Sequence, residues 1–356
     1  MRNGKGDPRE GPDTGKSIVV IGGYGAVGSA TAVTLGAWFP GRVVVAGRDL
    51  AKATELARST KGALQATRVD VSDPTDVDRV LDDAAVVVMC VERANAAVAE
   101  ACLRRGVHYV DISASDPVIE AITSLDSLAL RHQATAVLSV GLAPGLTNLL
   151  AHHCVERLPS ATTVDISLLL GLGGDHGVDS VRWIVEQFSR PEGRNGSDAR
   201  PTRIRLAEWG TRTVHPFPFS DQYVISRSLQ VWATTRICFD SAFVTSALFG
   251  LRATRFFTLM RRFRADSLLT AVLSRVRLGS DRFAVDVTAS DARGGMVSST
   301  VTGRDVCQAT SMVTAHVARV LFTDPAPPGV LHIDRLLPAG SFIDELDKHL
   351  MTVEHT

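Results

Sequence analysis

Residues 17–49 read SIVVIGGYGAVGSATAVTLGAWFPGRVVVAGRD, in which two apolar runs flank a glycine-rich loop and a segment of small residues. The apolar runs, 17–21 and 43–47, have the length and composition of buried strands. The segment 26–37 between them is compatible with a helix. A strand, a glycine turn, a helix and a second strand in this order predict a βαβ unit within a parallel sheet.

The loop of this unit carries the spacing G-x-G-x-x-G, at positions Gly23, Gly25 and Gly28. The first glycine allows a tight turn, the second lets the backbone approach a pyrophosphate, and the third lets helix and strand pack closely. Free N–H groups at the start of the helix then attract phosphate. The alternative is a glycine turn without a ligand. We expect a dinucleotide to bind along the loop of Gly23, Tyr24, Gly25, Ala26, Val27 and Gly28.

The end of the second strand, Ala46-Gly47-Arg48, indicates which dinucleotide binds. Strands that bind NAD usually carry Asp or Glu near this position to hold the ribose 2′-hydroxyl. Gly47 removes that carboxylate, and the Arg48 guanidinium can pair with a 2′-phosphate through two hydrogen bonds. The sequence therefore predicts NADP(H). The alternative is that Arg48 is only a surface charge beside Asp49, which caps the next helix.

Two later strand ends are further candidates for cofactor contacts. Asp70 and Val71 follow the third strand, where the adenine is expected, although Asp70 is an equally good cap for the next helix. Cys90 and Val91 end the fourth strand. Because ligands bind beyond the carboxyl ends of parallel strands, we expect them to line the nicotinamide ribose.

Short apolar strands alternate with helical segments as far as residue 141, which predicts a Rossmann-type, doubly wound parallel sheet at residues 16–150. Beyond it the pattern changes, and residues 151–322 are typical of an α+β domain. There, 211–219 (TRTVHPFPF) alternates but contains two prolines, so an edge strand is expected.

Composition excludes several classes of function. Lys plus Arg and Asp plus Glu both number 38, so no net field recruits nucleic acid. Five scattered cysteines without C-x-x-C spacing favour a reducing, cytoplasmic setting. No run of about 18 apolar residues predicts an integral membrane segment. Residues 1–15, polar and rich in Gly and Pro, are expected to be a disordered leader.

Further motifs accompany GGYGAVG and AGR. They are ACLRRGVHYVDIS (101–113), GLAPGLTNLLA (141–151) and, near the C-terminus, TVTGRDVCQATSMVTAHVARVL and PPGVLHIDRLL. With these motifs the chain resembles the saccharopine dehydrogenase-like reductases over most of residues 17–345. The resemblance implies a substrate domain built on a mixed sheet and a C-terminal segment, 323–356, that packs back on the first domain.

The same resemblance implies hydride transfer between NADP(H) and a C=N or C=O centre of a small molecule. Some members of the family reduce imines formed from an amine and an aldehyde, and others reduce enoyl or ketone groups. The substrate therefore does not follow from membership of the family.

Reducing an imine requires an oriented iminium and one proton. Asp111 and Ser113 end the fifth strand and point to one side by strand alternation, so either is a candidate to bind substrate or relay the proton. The alternative for Asp111 is a hydrogen bond to the backbone. Pro144, Gly145 and Asn148 open a helix whose N-terminus is a candidate for the nicotinamide amide or a substrate carboxylate.

The second domain offers a polar loop with Asp175 and His176, followed by a helix that carries Arg182. His176 is the candidate proton donor, because imidazole titrates near neutral pH. Asp175 and Arg182 are candidates for substrate binding. The alternative is a solvated loop histidine without a catalytic role.

Other chemistries are set aside. No Tyr is followed four residues later by Lys, the pair that short-chain dehydrogenases need. Cys154 is expected in the middle of a helix, where nothing lowers its pKa. His152 and His153 point apart on that helix, and no metal site is predicted.

Residues 248–279 mix Phe and Leu with several Arg. Such a segment lies on a membrane surface, docks on a carrier protein, or buries one face in its own domain. We expect a cytoplasmic, homodimeric NADPH-dependent reductase of an imine or related carbonyl in a small amino or amino-acid-like metabolite. The alternatives are an enoyl or ketone reductase for a carrier-bound or lipid-like substrate, and a non-catalytic NADP(H)-sensing regulator.

Overall fold

The computed structural model describes residues 15–174, 178–189, 200–262, 270–271, 278–347 and 351–355. The predicted disordered leader lies outside these residues, apart from Gly15. The chain forms two compact units, of which the first comprises residues 1–141 and 310–336 and the second comprises 142–309 and 337–356. Each unit is therefore built from two separate pieces of the chain.

The first unit contains a seven-stranded sheet. Its strands are β1 (Ser17–Ile21), β2 (Val43–Gly47), β3 (Leu64–Arg68), β4 (Ala84–Met89), β5 (His108–Asp111), β6 (Thr135–Leu138) and β13 (Gly329–His332). All pair in parallel, in the order β13-β6-β5-β4-β1-β2-β3. The strand order reverses between β1 and β4, which is the switch point where doubly wound sheets bind nucleotides. The predicted Rossmann-type fold is confirmed.

Helices connect these strands. They are α1 (Ala26–Trp38), α2 (Leu50–Ser59), α3 (Pro74–Leu81), α4 (Asn95–Arg104), α5 (Asp116–Thr123), α6 (Asp126–Arg131), α12 (Val306–Thr323) and α13 (Ile333–Leu336). Their starts follow the local chemistry: Asp49 caps α2 by accepting a hydrogen bond from Lys52 N, and Asp73 caps α3 by accepting from Thr75 N. Both caps satisfy an N–H group that has no partner within the helix.

The core of this unit follows from the composition of its central strands. Val86, Val87, Val88 and Met89 of β4 are all buried, whichever face of the sheet they point to. A continuous apolar strand of this kind is buried because helices cover both faces of a parallel sheet.

The last strand of the first sheet, β13, comes from the C-terminal part of the chain and lies at the edge beside β6. Gly329 N donates to Ala134 O at 3.0 Å. Thr135 Oγ1 donates to Pro327 O at 3.0 Å, and Asp126 Oδ1 accepts from Val330 N at 2.9 Å. Side chains of the preceding elements therefore hold this short strand in register.

The second unit contains a mixed sheet. Its strands are β7 (Thr163–Leu172), β8 (Thr202–Leu206), β9 (Gly210–Pro216), β10 (Trp232–Phe239), β11 (Leu278–Ser290), β12 (Met296–Arg304) and β14 (Met351–His355). The order is β14-β12-β11-β7-β10-β9-β8, with β7 and β10 parallel and the other pairs antiparallel. The mixed sheet that the resemblance implied is confirmed.

The second unit contains helices, three of which contribute rings to an aromatic cluster. They are α7 (Thr147–Arg157), α8 (Val178–Ser189), α9 (Ser220–Leu229), α10 (Ala242–Ala253), α11 (Phe256–Arg262) and α14 (Ala339–Asp347). In the cluster the ring of Phe188 lies 5.1–5.2 Å from the rings of Phe217, Phe249 and Phe257. Ring pairs at this separation stabilise the core beyond the apolar area that they bury.

Two expectations differ from what the structure shows. The proline-containing strand β9 is not at the edge, because β8 pairs with its outer side. Pro216 is tolerated there because it is the last residue of β9. The C-terminal segment 323–356 was expected to pack on the first domain as a whole, but it is shared between the two units. Its strand β13 completes the first sheet, whereas residues 337–356 belong to the second unit. Across the part of the chain that the structure describes, no helix is long and apolar enough to cross a membrane.

Candidate functional site

The loop between β1 and α1 can be formed only with glycines. Gly22 has a φ of +76°, a conformation that glycine adopts without strain. A Cβ on Gly23 would lie 2.7 Å from Val20 O, and one on Gly28 would lie 2.3 Å from Gly22 O. The main chain therefore folds back on itself too closely for side chains, and Gly22 N and Gly23 N donate to Ala46 O while Gly25 N donates to Gly22 O.

The first turn of α1 is open to an anion. Its N-cap is Gly25, which has no side chain to accept hydrogen bonds from the helix, and no acidic residue lies in the first turn. Gly25 and Ala26 are exposed, and Val27 is half-buried. The first N–H groups of a helix lack partners within it and carry the positive end of the helix dipole. The residues present therefore fit the pyrophosphate of a dinucleotide.

Tyr24 joins this loop to the end of β2. Its hydroxyl oxygen accepts a hydrogen bond from Asp49 N at 3.1 Å. A Cβ on Gly47 would lie 2.5 Å from Tyr24 Cε1. Gly47 thus has a packing role in addition to the electrostatic one inferred from the sequence, because any side chain there displaces the ring.

Arg48 is exposed at the carboxyl end of β2, next to the loop after β3. Ser72 N donates to Asp70 Oδ1 at 3.0 Å, and this hydrogen bond is the main reason why the pKa of Asp70 is lowered. Arg48 and Arg93 lower it further by their positive charges. Asp70 does not cap α3, since Asp73 does so. Arg93, which sequence reasoning missed, adds a second cation near the predicted adenosine end.

Cys90 and Val91 follow β4 beside the glycine loop. Cys90 N donates to Ile21 O at 2.9 Å, and a Cβ on Gly22 would lie 2.6 Å from Val91 Cγ1. Burial raises the pKa of the Cys90 thiol to about 12, with a further contribution from Asp111. The thiol is therefore neutral near pH 7 and lines the predicted ribose site without acting as a nucleophile.

Asp111, at the end of β5, is buried and fully engaged in hydrogen bonds. Oδ2 accepts from Asn95 Nδ2 at 2.9 Å and from Tyr109 OH at 2.7 Å, and Oδ1 accepts from Ser113 N at 2.7 Å. Burial raises the pKa of Asp111, although these three hydrogen bonds oppose the shift. The carboxylate fixes the start of α4 and the loop after β5, and Asn95 and Tyr109 are the partners that the sequence did not reveal.

The Ser113 hydroxyl lies beside the Glu92 carboxylate, where β4 and β5 end. Its Oγ donates to Glu92 Oε1 at 3.3 Å. Glu92 is exposed, whereas Ser113 is buried. The pair stands where a doubly wound sheet places the reacting end of its nucleotide.

Ser139 directly follows β6 and His332 is the last residue of β13, so both lie at the C-terminal ends of these two parallel strands. Ser139 Oγ and His332 Nδ1 are 2.9 Å apart. Sequence reasoning missed this pair because 193 positions separate the two residues. Only the pairing of β13 with β6 could have indicated it.

The predicted residues of the second unit are placed as follows. Gly145 has a φ of +138°, and Gly145 N donates to Asn148 Oδ1 at 3.0 Å, next to Pro144. Asn148 Nδ2 is buried without a hydrogen-bond partner. Arg182 is exposed on α8, and Asp175 and His176 lie outside the described residues. The roles of these six residues toward nicotinamide and substrate stay predictions.

Cys154 lies within α7, in the core of the second unit. Its Sγ contacts Val287 O at 3.6 Å and Ser299 Oγ at 3.4 Å, and burial raises the pKa of the thiol. Within the described ranges, no three His, Cys, Asp or Glu side chains are grouped to hold a metal ion.

Comparison with known proteins adds a family. Residues 18–139 match the family model of the saccharopine dehydrogenase NADP binding domain. Saccharopine dehydrogenase (L-Glu forming) from Saccharomyces cerevisiae is a similar solved structure, with 16% identity, a TM-score of 0.63, and coverage of 96% of this chain and 100% of that chain. No curated protein sequence matches the chain.

Two further solved structures show weaker likeness. GenD2 from gentamicin A biosynthesis, in complex with NAD, has 14% identity and a TM-score of 0.42, with 87% of each chain covered. A dehydrogenase from Chromobacterium violaceum has 10% identity and a TM-score of 0.37, with 81% of this chain and 75% of that chain covered.

The family model and the yeast structure confirm three predictions from the sequence: the family, the fold of both units and the NADP cofactor. At 16% identity the yeast enzyme shows a shared fold and leaves the substrate open. Residues 18–139 thus form a saccharopine dehydrogenase NADP binding domain, and the chain as a whole is similar in fold to saccharopine dehydrogenase.

Proposed function

We propose that the protein is an NADPH-dependent reductase that reduces the C=N bond of an imine in a small amino or amino-acid-like metabolite. The NADP-binding domain and the family support reduction as the reaction class. The Glu92–Ser113 pair at the carboxyl ends of β4 and β5 supports C=N as the reacting bond.

The negative charge of Glu92 is the reason for proposing C=N rather than C=O as the reacting bond. An iminium ion is cationic, and a carboxylate close to it lowers its energy by Coulomb attraction. Reduction of a ketone develops negative charge on oxygen, which the same carboxylate opposes. The exposed Glu92 side chain therefore favours an iminium over a ketone.

NADPH supplies the hydride when it is bound. Gly23 to Gly28 and Arg48 would hold its phosphates, and the loops after β3 and β4 would contact its adenosine and nicotinamide ribose. Because an iminium nitrogen is already protonated, the C=N electron pair stays on nitrogen after reduction and no further proton is needed there. Asp111 positions the loop that carries Ser113.

Formation of the iminium from an amine and a carbonyl releases water, and an acid must protonate the departing hydroxyl group. His176 is our candidate for this acid. Asp175, Arg182 and Asn148 are candidates for binding the polar groups of the substrate. The homodimer, the carrier partner and the cytoplasmic location stay predictions from the sequence.

A second candidate function is reduction of an enoyl or ketone group in a lipid-like substrate. The specific observation in its favour is the exposed apolar side chain of Phe243 on α10. An NADP(H)-sensing regulator without turnover is the third candidate.

The first experiment follows NADPH oxidation by the purified protein with pools of cyclic imines, amine-plus-oxoacid mixtures, ketones and enoyl thioesters. We expect consumption with an imine or amine-plus-oxoacid pool. The variant Glu92→Gln should lower that turnover about 10- to 100-fold, as for loss of a charge-assisted contact, and leave NADPH affinity unchanged.

Glu100→Gln is the matched control, because Glu100 lies on α4 and pairs with Arg104. Consumption with ketones or enoyl thioesters alone would contradict the proposal. NADPH binding without consumption in any pool would favour the regulator. A variant His176→Ala with unchanged turnover would remove His176 from the reaction.

A further inference from the structure

The outward surface of α10 and α11 is unusually apolar. The Phe243 side chain is 82% exposed, Leu251 is 40% exposed and, on α11, Leu259 is 49% exposed. Large exposed apolar side chains on neighbouring helices of a folded domain indicate an interaction surface.

The spacing on α10 places these side chains on one face. Phe243, Ala247 and Leu251 recur every four residues and are exposed. The opposite face is already buried: Thr245 Oγ1 accepts from Phe239 N at 2.9 Å, and the ring of Phe249 stacks on His215 at 4.1 Å. The helix is therefore apolar on both sides, and among the described residues of its domain only the side of Thr245 and Phe249 is covered.

The charges around this face have a single sign. Residues 242–262 contain four arginines and no Asp or Glu. Arg255, Arg261 and Arg262 are exposed. The fourth arginine, Arg252, packs against the aromatic core, with its Cζ 5.9 Å from the ring centroids of both Phe188 and Phe217. We define the α10–α11 surface as the exposed residues Phe243, Ala247, Leu251, Arg255, Leu259, Arg261 and Arg262.

The positive charges of the α10–α11 surface distinguish a second copy of the chain from an anionic lipid surface as its partner. In a symmetric dimer through this surface, the arginines of one copy would approach those of the other, and like charges repel. An anionic lipid surface meets both features, since it attracts the arginines electrostatically and the apolar side chains enter the headgroup region. We propose that the α10–α11 surface binds reversibly to anionic membranes.

This inference does not depend on which bond the enzyme reduces. It brings the enzyme to a lipid–water interface without a spanning helix. Insertion of Phe243 and Leu251 gives the apolar part of the interaction, and Arg255, Arg261 and Arg262 give the part that depends on lipid charge and on salt.

The test is flotation of the full-length protein with two kinds of vesicle, one of phosphatidylcholine alone and one with about one-third phosphatidylserine. We expect binding to the anionic vesicles at least about 10-fold tighter than to the neutral ones, weakened by salt. The double variant Phe243→Ser/Leu251→Ser should lower this binding at least about 10-fold, because it removes the apolar side chains that enter the headgroup region. The triple variant Arg255→Glu/Arg261→Glu/Arg262→Glu should abolish it.

The matched control is Met296→Ser, which removes an apolar side chain that is 68% exposed at the start of β12. It should bind vesicles as the unchanged protein does. NADPH affinity and melting temperature show that each variant is folded.

Absence of binding to anionic vesicles would overturn the proposal, as would equal binding by the Phe243→Ser/Leu251→Ser variant. If light scattering showed that this variant converts a dimer to a monomer, the surface would be an interface between copies and the membrane proposal would be wrong.

Discussion

The Tyr24 ring and the Gly47 backbone lie so close that a Cβ on Gly47 would come within 2.5 Å of Tyr24 Cε1. Tyr24 belongs to the glycine loop, and Gly47 is the last residue of β2. The contact fixes the loop that binds phosphate relative to the strand that presents Arg48. Two parts of the cofactor site, far apart in sequence, are thereby positioned together.

We predict that Arg48→Asp weakens NADPH binding about 10- to 100-fold, because it removes a charge-assisted pair and adds a like charge beside the 2′-phosphate. NADH affinity should change little. Fluorescence titration with both cofactors measures this. Arg58→Gln, at an exposed position in the last turn of α2, is the control and should leave both affinities unchanged. An unchanged NADPH affinity in Arg48→Asp would assign the 2′-phosphate to another residue.

Gly25→Ala and Gly28→Ala should separate cofactor binding from stability. A Cβ on Gly28 would lie 2.3 Å from Gly22 O, so this variant should lose about 3 kcal/mol of unfolding free energy. A Cβ on Gly25 would lie 3.2 Å from the same oxygen, so Gly25→Ala should stay near the original melting temperature but bind NADPH more weakly. Urea unfolding and NADPH titration test both. Equal stability of the two variants would contradict the packing role of Gly28.

Asp111→Asn should reveal whether Asp111 positions the loop after β5 or takes part in the reaction. The folded-state pKa of Asp111 is raised, so its contribution to stability is complete at low pH and falls as pH rises from about 4 through the raised value. Asn does not ionise, and Asn95 can turn its unpartnered Oδ1 toward the new amide. The variant should therefore gain stability relative to the original protein as pH rises.

The measurement is urea unfolding of both proteins at several pH values. Asp111→Ala is the comparison variant, since it leaves Asn95 Nδ2 without the acceptor Asp111 and leaves Tyr109 OH with only the longer hydrogen bond to Asn95 O at 3.4 Å. It should lose about 1–3 kcal/mol of unfolding free energy. A stability difference that does not vary with pH would show that Asp111 is not the titrating group. Loss of turnover in Asp111→Asn with intact stability would instead indicate a direct part in the reaction.

Ser139→Ala should loosen the edge strand β13. Loss of one hydrogen bond of about 1 kcal/mol raises local opening about 5-fold, so the amides of residues 329–332 should exchange with deuterium faster. Mass spectrometry of peptides covering β13 measures the rate. Ser17→Ala, which removes a hydroxyl bonded to Asp83 O in the same sheet, should leave that rate unchanged. Equal exchange in both variants would mean that His332 does not depend on Ser139.

Much of the nucleotide-binding unit could be predicted because its signals are local. The glycine spacing, the apolar strands and the cap at Asp49 each lie within a few residues of the element that they specify. The position of Arg48 at the carboxyl end of β2 could be predicted in the same way, because it depends only on where β2 ends. Such features do not depend on distant parts of the chain.

The parts that could not be predicted depend on distant pairing. The strand β13 has four residues, and only its docking beside β6 makes it a strand. Asp111 accepts hydrogen bonds from Asn95 and Tyr109, and the hydrogen bond from Asn95 spans 16 positions of the sequence. β8 was missed because its sequence, TRIRL, has little apolar character and its register is set by β9.

The origin of β13 has a consequence for how the protein is made. The ribosome releases residues 15–141 long before it reaches Gly329. The edge of β6 that pairs with β13 therefore stays unpaired in the nascent chain until β13 has been synthesised. The exposed N–H and C=O groups of that edge can pair with other chains in the meantime. We expect a chain that stops before residue 329 to aggregate during synthesis, and a separately supplied peptide containing β13 to rescue it.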